Sequence, residues 1–299
     1  MMTGYGNLVR RNTKLFFKDK GTFFTALITP LILLVLYATF LAKVYRDSFN
    51  SALPDIMQVS DKLIDATVGG ELFSSLLAVS CVTVAFCSNM LIVQDRVNGT
   101  RKDLTVTPVS KSTLALSYYT ATLISTLMVC LIATGACFIY LAGTGWYMSG
   151  SDVAFILLDV FLLVLFGTAL SSIINVFLTS QGQISAVGTI VSAGYGFICG
   201  AYMPISQFGD GLQKVLSFLP GTYGTSLLRN HALNGVFNEM SEAGFPDEVI
   251  DGIKDSVDCN LYFFDDKVAT GTMYIILAAS VTVLIGIYIM INVLRKGNR

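Results

Sequence analysis

Five stretches of this chain, residues 21–42, 72–94, 112–151, 160–209 and 268–294, contain no Asp, Glu, Lys or Arg. A helix crosses the hydrocarbon of a bilayer with about 20 apolar residues. The run at 112–151 holds one crossing, and the run at 160–209 is long enough for two. In lipid an irregular backbone leaves N–H and C=O groups without partners, so such runs fold as helices. Charged residues make up 13% of the chain and hydrophobic ones 54%, whereas soluble domains carry about 25% charge. The pattern predicts an all-α, multi-pass protein of the cell membrane, built as one transmembrane domain over residues 1–299.

Taken in order, residues 4–20 predict a helix lying at the membrane surface. Leu8, Leu15 and Phe16 fall near one face, and Arg10, Arg11, Lys14 and Lys18 surround them. Such a helix rests in the headgroup layer beside anionic lipid; the alternative is a basic flank that only fixes orientation. Spans are predicted at 22–42, kinked at Pro30, and at 72–93, 116–141, 153–178, 184–203 and 268–294. The basic, then long apolar start, with no small-residue cleavage site after it, predicts an uncleaved first span. The five-residue turn TSQGQ at 179–183 separates the fourth span from the fifth.

Lys and Arg give the orientation. Twelve of the nineteen fall in residues 1–21, 94–117 and 295–299, together with only Asp19, Asp95 and Asp103. The positive-inside rule then puts both termini and the 94–115 loop in the cytoplasm. The loop at 43–70 and the acidic region 204–267 lie outside. Of the six cysteines, five fall in apolar runs and predict buried thiols rather than a disulfide framework.

Several chemistries find no support. The sequence has no G-x-x-x-x-G-K-[ST] phosphate loop, so ATP and Mg are not expected to bind here and no cofactor is predicted. His231 is the only histidine, which argues against a His-pair metal site and a Ser–His triad. No pair of acids lies deep in the expected spans, where an ion-coupled carrier would keep them. No basic, aromatic-interleaved patch suggests nucleic acid. A non-catalytic membrane subunit is expected, without an energy source of its own.

The most informative polar stretch is QDRVNGTRKDLTVTPVSKSTLALS at 94–117. Gly99 permits a turn, Pro108 can start or stop a short helix, and Thr100 or Thr107 can cap one. Asp95-x-x-x-Gly99-Thr100, Leu104 and Thr107-Pro108-Val109-Ser110 resemble the signature loop of type-2 ABC exporter permeases. Arg101-Lys102 departs from the Leu-Glu usual there. The resemblance implies that this loop couples the membrane domain to an ATPase subunit, through Asp95, Gly99, Thr100, Leu104, Thr107, Pro108 and Val109. It implies two ATPase copies, a second permease subunit, identical or related, and contact with membrane lipid.

Gly200-Ala-Tyr-Met-Pro204, Leu219-Pro220 and Leu228-Arg229 are similar to a further run of that family. There Pro204, Pro220 and Arg229 are expected in a re-entrant region of two short helices; a surface amphipathic helix is the alternative. Gly188, Ser192, Gly196 and Gly200 recur every four residues along the fifth span. This stripe lets helices approach closely, either within one subunit or at a subunit contact or gate. Asp159 is expected near the membrane interface, and the acidic stretch 239–266 as a solvated outer face. The resulting expectation is the permease of an ATP-driven exporter of an amphipathic substrate such as a drug, antimicrobial peptide or lipid. The alternatives are a secondary carrier, or a membrane-embedded enzyme acting on lipid.

Overall fold

The computed structural model describes residues 2–36, 39, 43, 46 and 60–294. The far end of the first expected span (residues 37, 38 and 40–42), most of the loop after it and the basic terminus 295–299 lie outside the described residues. Among the described residues the fold is helical apart from one short hairpin. Helix α1 is Met2–Lys18 and α2 is Lys20–Leu36. A long α3, Asp61–Ser88, is followed by α4, Leu91–Val97, and α5, Thr100–Val106. Then come α6, Lys111–Thr144, α7, Gly150–Phe177, and α8, Gln181–Ile198. A 3-10 turn at Ile205–Gln207 precedes α9, Asp210–Leu216, α10, Pro220–Glu242, and α11, Asp247–Ser256. Strands β1, Tyr262–Phe263, and β2, Asp266–Lys267, pair antiparallel before α12, Thr270–Leu294.

Among the described residues, four helices are long and apolar enough to cross a membrane: α3 with α4, α6, α7 and α12. The fifth expected span is shorter than its apolar run. Helix α8 stops at Ile198 because Gly200 turns the chain at φ +75°, a left-handed conformation that glycine adopts without a steric penalty. The second span starts earlier than hydropathy indicates. Ser60 accepts a hydrogen bond from Leu63 N at 3.3 Å and starts α3 eleven residues ahead of Leu72. The same device starts α6 at Ser110, α7 at Ser149 and α8 at Ser180. Each hydroxyl satisfies a helix N–H that would otherwise lack a partner. At α7, Asp152 completes a capping box.

Helix α3 is the axis of the bundle, buried along nearly its whole length and packed on α2, α6, α7, α8 and α10. Pairs of small or hydroxyl residues such as Ser74, Ser75 and Ser80 allow that close approach. The expectation of two short re-entrant helices needs correction. Helix α9 is seven residues, but α10 runs for 23 and packs between α3, α7 and α12. All six cysteines are buried and unpaired, Cys259 included.

Candidate functional site

At one end of the bundle the chain builds a short projecting lever. Asn98 ends α4, and Gly99 reverses the path at φ +81° so that α5 starts at once. Neither threonine caps α5 at its start. Gly99 occupies the cap position, and Thr107 Oγ1 bonds back to Leu104 O at 2.6 Å at the other end. Pro108 follows in the open turn before Ser110 caps α6.

The residues of this loop divide by face. Val106, at 87% exposure, projects with Lys102, Asp103, Thr107 and Pro108. Leu104 and Val109 instead pack inward, against a cluster of Leu8, Ile92, Val93, Leu114, Tyr118 and Ile184. Asp95 is only 5% exposed. Its carboxylate accepts two bonds from the Arg11 guanidinium, at 2.6 and 3.1 Å, and one from Tyr118 Oη at 2.5 Å. The signature acid therefore faces into the chain and joins α1, α4 and α6. The pairing with Asp95 raises the Arg11 pKa still further.

Helix α1 is docked on α6 by the buried stripe Leu8, Asn12 and Phe16. Tyr5 Oη meets Thr120 Oγ1 at 2.7 Å. At the start of the next helix, hydrogen bonds from Thr22 hold the Asp19 carboxyl below its usual range.

Two residues passed over by the sequence analysis complete this end. Arg96 donates to the carbonyls of Val176 (2.9 Å) and Leu178, where α7 ends and its dipole is negative. Asn89 sits at the break between α3 and α4. Its Nδ2 donates to Ser171 Oγ at 3.0 Å and Ser172 Oγ at 2.8 Å, and its Oδ1 accepts from Thr122 Oγ1 at 3.2 Å. Asn175 Nδ2 donates to the Asn89 carbonyl at 3.1 Å. One amide thus ties α3, α6 and α7. The available signal was a run of Asn, Ser and Thr inside apolar sequence, which in a membrane bundle marks helix-to-helix hydrogen bonding.

Beside the lever a cleft of about 1020 Å³ opens between α2, α8 and the junction of α3 with α4. Thr22, Thr25, Met90, Gly188, Thr189 and Ser192 are among its walls. The four-residue stripe therefore divides. Gly188 and Ser192 face the cleft, whereas Gly196 is covered by the Tyr202 ring and Gly200 forms the turn after the helix.

At the opposite end Arg229 is fully buried. It donates to Gly200 O at 2.7 Å, Ser75 Oγ at 3.2 Å and Asp258 Oδ2 at 3.1 Å. Asp258 also accepts from the backbone N–H groups of Ile205 and Ser206, at 2.5 and 3.1 Å. Burial pushes its carboxyl up, against the opposing pull of Arg229 and these N–H groups. Arg229 and the turn at Gly200 and Pro204 thus meet at one point; Pro220 stands apart, at the first turn of α10.

Asp159 is fully buried, with His231 Nδ1 at 2.7 Å and Tyr274 Oη at 2.6 Å. Helix α10, which supplies His231, covers the face of α7 that a count of isolated spans leaves to lipid. The His231 ring in turn stacks on Phe155 at 4.9 Å.

A family model described as "ABC-2 type transporter" matches residues 3–232, from the start of α1 into α10. No curated protein matches the sequence.

Proposed function

The chain belongs to the ABC-2 type transporter family, and on that premise we propose that it is the permease subunit of an ATP-driven exporter of amphipathic molecules. Two copies of the permease, or this chain and a related one, work with two ATPase subunits on separate chains, which bind the ATP and Mg. The observation that carries this reading is the lever at 99–108. It projects an apolar tip, Val106, from a base locked to α1, α6 and α7 by Asp95, Arg96 and Asn89. An element so held passes a push at its tip into the bundle rather than absorbing it. The cleft between α2 and α8, with its Thr and Ser hydroxyls among apolar walls, suits a substrate that is part polar and part hydrophobic.

Two experiments test the assembly. Purified alone, the chain is expected to hydrolyse no ATP, since it lacks a phosphate-binding loop; with its ATPase it is expected to elute as a complex of two permeases and two ATPases. Robust hydrolysis by the chain alone overturns the reading.

The topology is six spans with both ends in the cytoplasm. Ser60, Ser110 and Glu242 are all exposed, and the native thiols are buried. Cysteine at 60 or 242 is expected to react with an impermeant reagent from outside the cell, and cysteine at 110 only from inside. Labelling of 110 and 242 from the same side refutes this topology.

A further inference from the structure

Helix α8 has a second cleft on its other face, of about 550 Å³, between α7, α8 and α12. That volume lies within the roughly 300–1,000 Å³ usual for small-molecule sites. Its walls are apolar: Phe166 and Leu170, Ile190 and Ile198, Val283 and Leu284. Ile190, Ile198 and Val283 are exposed on the outside of the bundle, so the cleft opens where the membrane-spanning helices meet lipid.

Two polar features break this apolar lining. Tyr195 is 8% exposed, and its hydroxyl is buried without a hydrogen-bond partner among the described residues. A hydroxyl so placed is destabilising unless an acceptor reaches it. The second feature is the first turn of α10. Pro220 and Gly221 line the cleft beside Ala279 and Ser280, near the middle of α12. No side chain caps this helix start, where Leu219 holds the cap position. A 23-residue helix therefore presents its positive end at that depth. Gly221 lets the two features meet, since a Cβ there would stand 2.5 Å from Tyr195 Oη.

We infer that this cleft binds one acyl chain of a lipid, with its carbonyl or carboxylate oxygen held by the Tyr195 hydroxyl at the start of α10. The hydrocarbon lies along Phe166, Ile190 and Val283, and the acceptor satisfies the donor that Tyr195 leaves open. The site is separate from the substrate cleft, because α8 stands between them.

The test uses the full chain in lipid nanodiscs and a fatty acid carrying a photoactivatable diazirine in mid-chain. Labelling, mapped by mass spectrometry, is expected on α8 near Ile190 and on α12 near Val283. Tyr195→Phe keeps the ring and removes the donor; at sub-saturating probe its labelling is expected to drop about tenfold, as for a lost bond to a charged acceptor. Ser280→Trp, which fills the cleft, is expected to abolish labelling. An oxygen-free diazirine hydrocarbon is expected to label wild type and Tyr195→Phe equally, which separates a lost donor from a lost fold.

A phospholipid with the same diazirine chain forms the second arm. Labelling by both probes makes an ester carbonyl sufficient, and labelling by the fatty acid alone restricts the site to carboxylates. Labelling that is unchanged in both variants, or that misses these residues, overturns the inference. Blocking by Ser280→Trp with no effect of Tyr195→Phe overturns the assignment of the acceptor to Tyr195.

Discussion

Arg229→Met is expected to lower the thermal midpoint of the detergent-purified chain by on the order of 10 °C. The variant leaves Asp258 buried with no cation beside it, and breaking a buried pair from one side costs about 3–5 kcal/mol. It also removes the donors to Gly200 O and Ser75 Oγ, so the turn at Gly200 loses its link to α3. Asp258→Asn is expected to cost about as much, because it leaves the fully buried Arg229 cation without this carboxylate while its Oδ1 can still accept one of the two N–H groups from Ile205 and Ser206. The double variant is expected to be more stable than Arg229→Met alone, since the buried Asp258 charge is removed together with its partner. The measurement is fluorescence-detected size-exclusion after heating. A midpoint for Arg229→Met within about 2 °C of wild type shows that the cluster does not hold this end of the bundle together.

Val106→Asp is expected to abolish transport and weaken binding of the ATPase at least tenfold while leaving expression, elution and melting unchanged. Val106 contributes almost nothing to the isolated chain, since 87% of it is exposed. In a partner's groove, an apolar anchor of this size contributes about 1–3 kcal/mol. Gly99→Val is expected to give the same functional loss by another route. A β-branched side chain at φ +81° is strained by about 1–3 kcal/mol, so the direction of α5 changes. Lys102→Ala, at the exposed rim, is expected to do little, because exposed pairs contribute about 0–1 kcal/mol. Pull-down of the ATPase and transport into inverted vesicles read the outcome. Normal binding and transport by Val106→Asp would falsify the coupling role of the loop.

Leu104 illustrates where sequence reading stops. An apolar residue in a polar loop marks a buried contact, but not whether the contact lies within the chain or with a partner. The structure puts Leu104 and Val109 against the chain's own helices and leaves the apolar tip to Val106. Three of the long helices were legible from a one-dimensional signal. Helices α6, α7 and α12 run within a few residues of the expected spans 116–141, 153–178 and 268–294, because hydrocarbon favours long apolar stretches.

Helix α10 was not legible as a long helix. It is buried against α3, α7 and α12 and rich in Gly, Asn and Thr, so it carries neither the stripe of a surface helix nor the hydropathy of a span. The clasps Arg11 with Asp95 and Arg229 with Asp258 join residues far apart in sequence. A single chain read in order contains nothing that pairs them. The Ser caps at 60, 110, 149 and 180 were available locally, and they would have moved the predicted helix starts outward by several residues.

The distribution of side-chain hydrogen bonds separates a cross-linked set of helices from less tied ones. Helices α3, α6 and α7 are knotted through Asn89, and α3 is held again through Ser75. Among the described residues, the hydroxyls of α2 and α8 bond only locally: Thr25 to Gly21, Ser185 to Gln181, Thr189 to Ser185. The chain just past α8 is pinned where Arg229 grips the Gly200 carbonyl. Helix α8 is therefore tied by side-chain hydrogen bonds only near that end, and it forms a wall of both clefts. A displacement of α8 that widened the cleft on one face would narrow the one on the other, and the occupants of the two sides would then be coupled with equal and reciprocal energy.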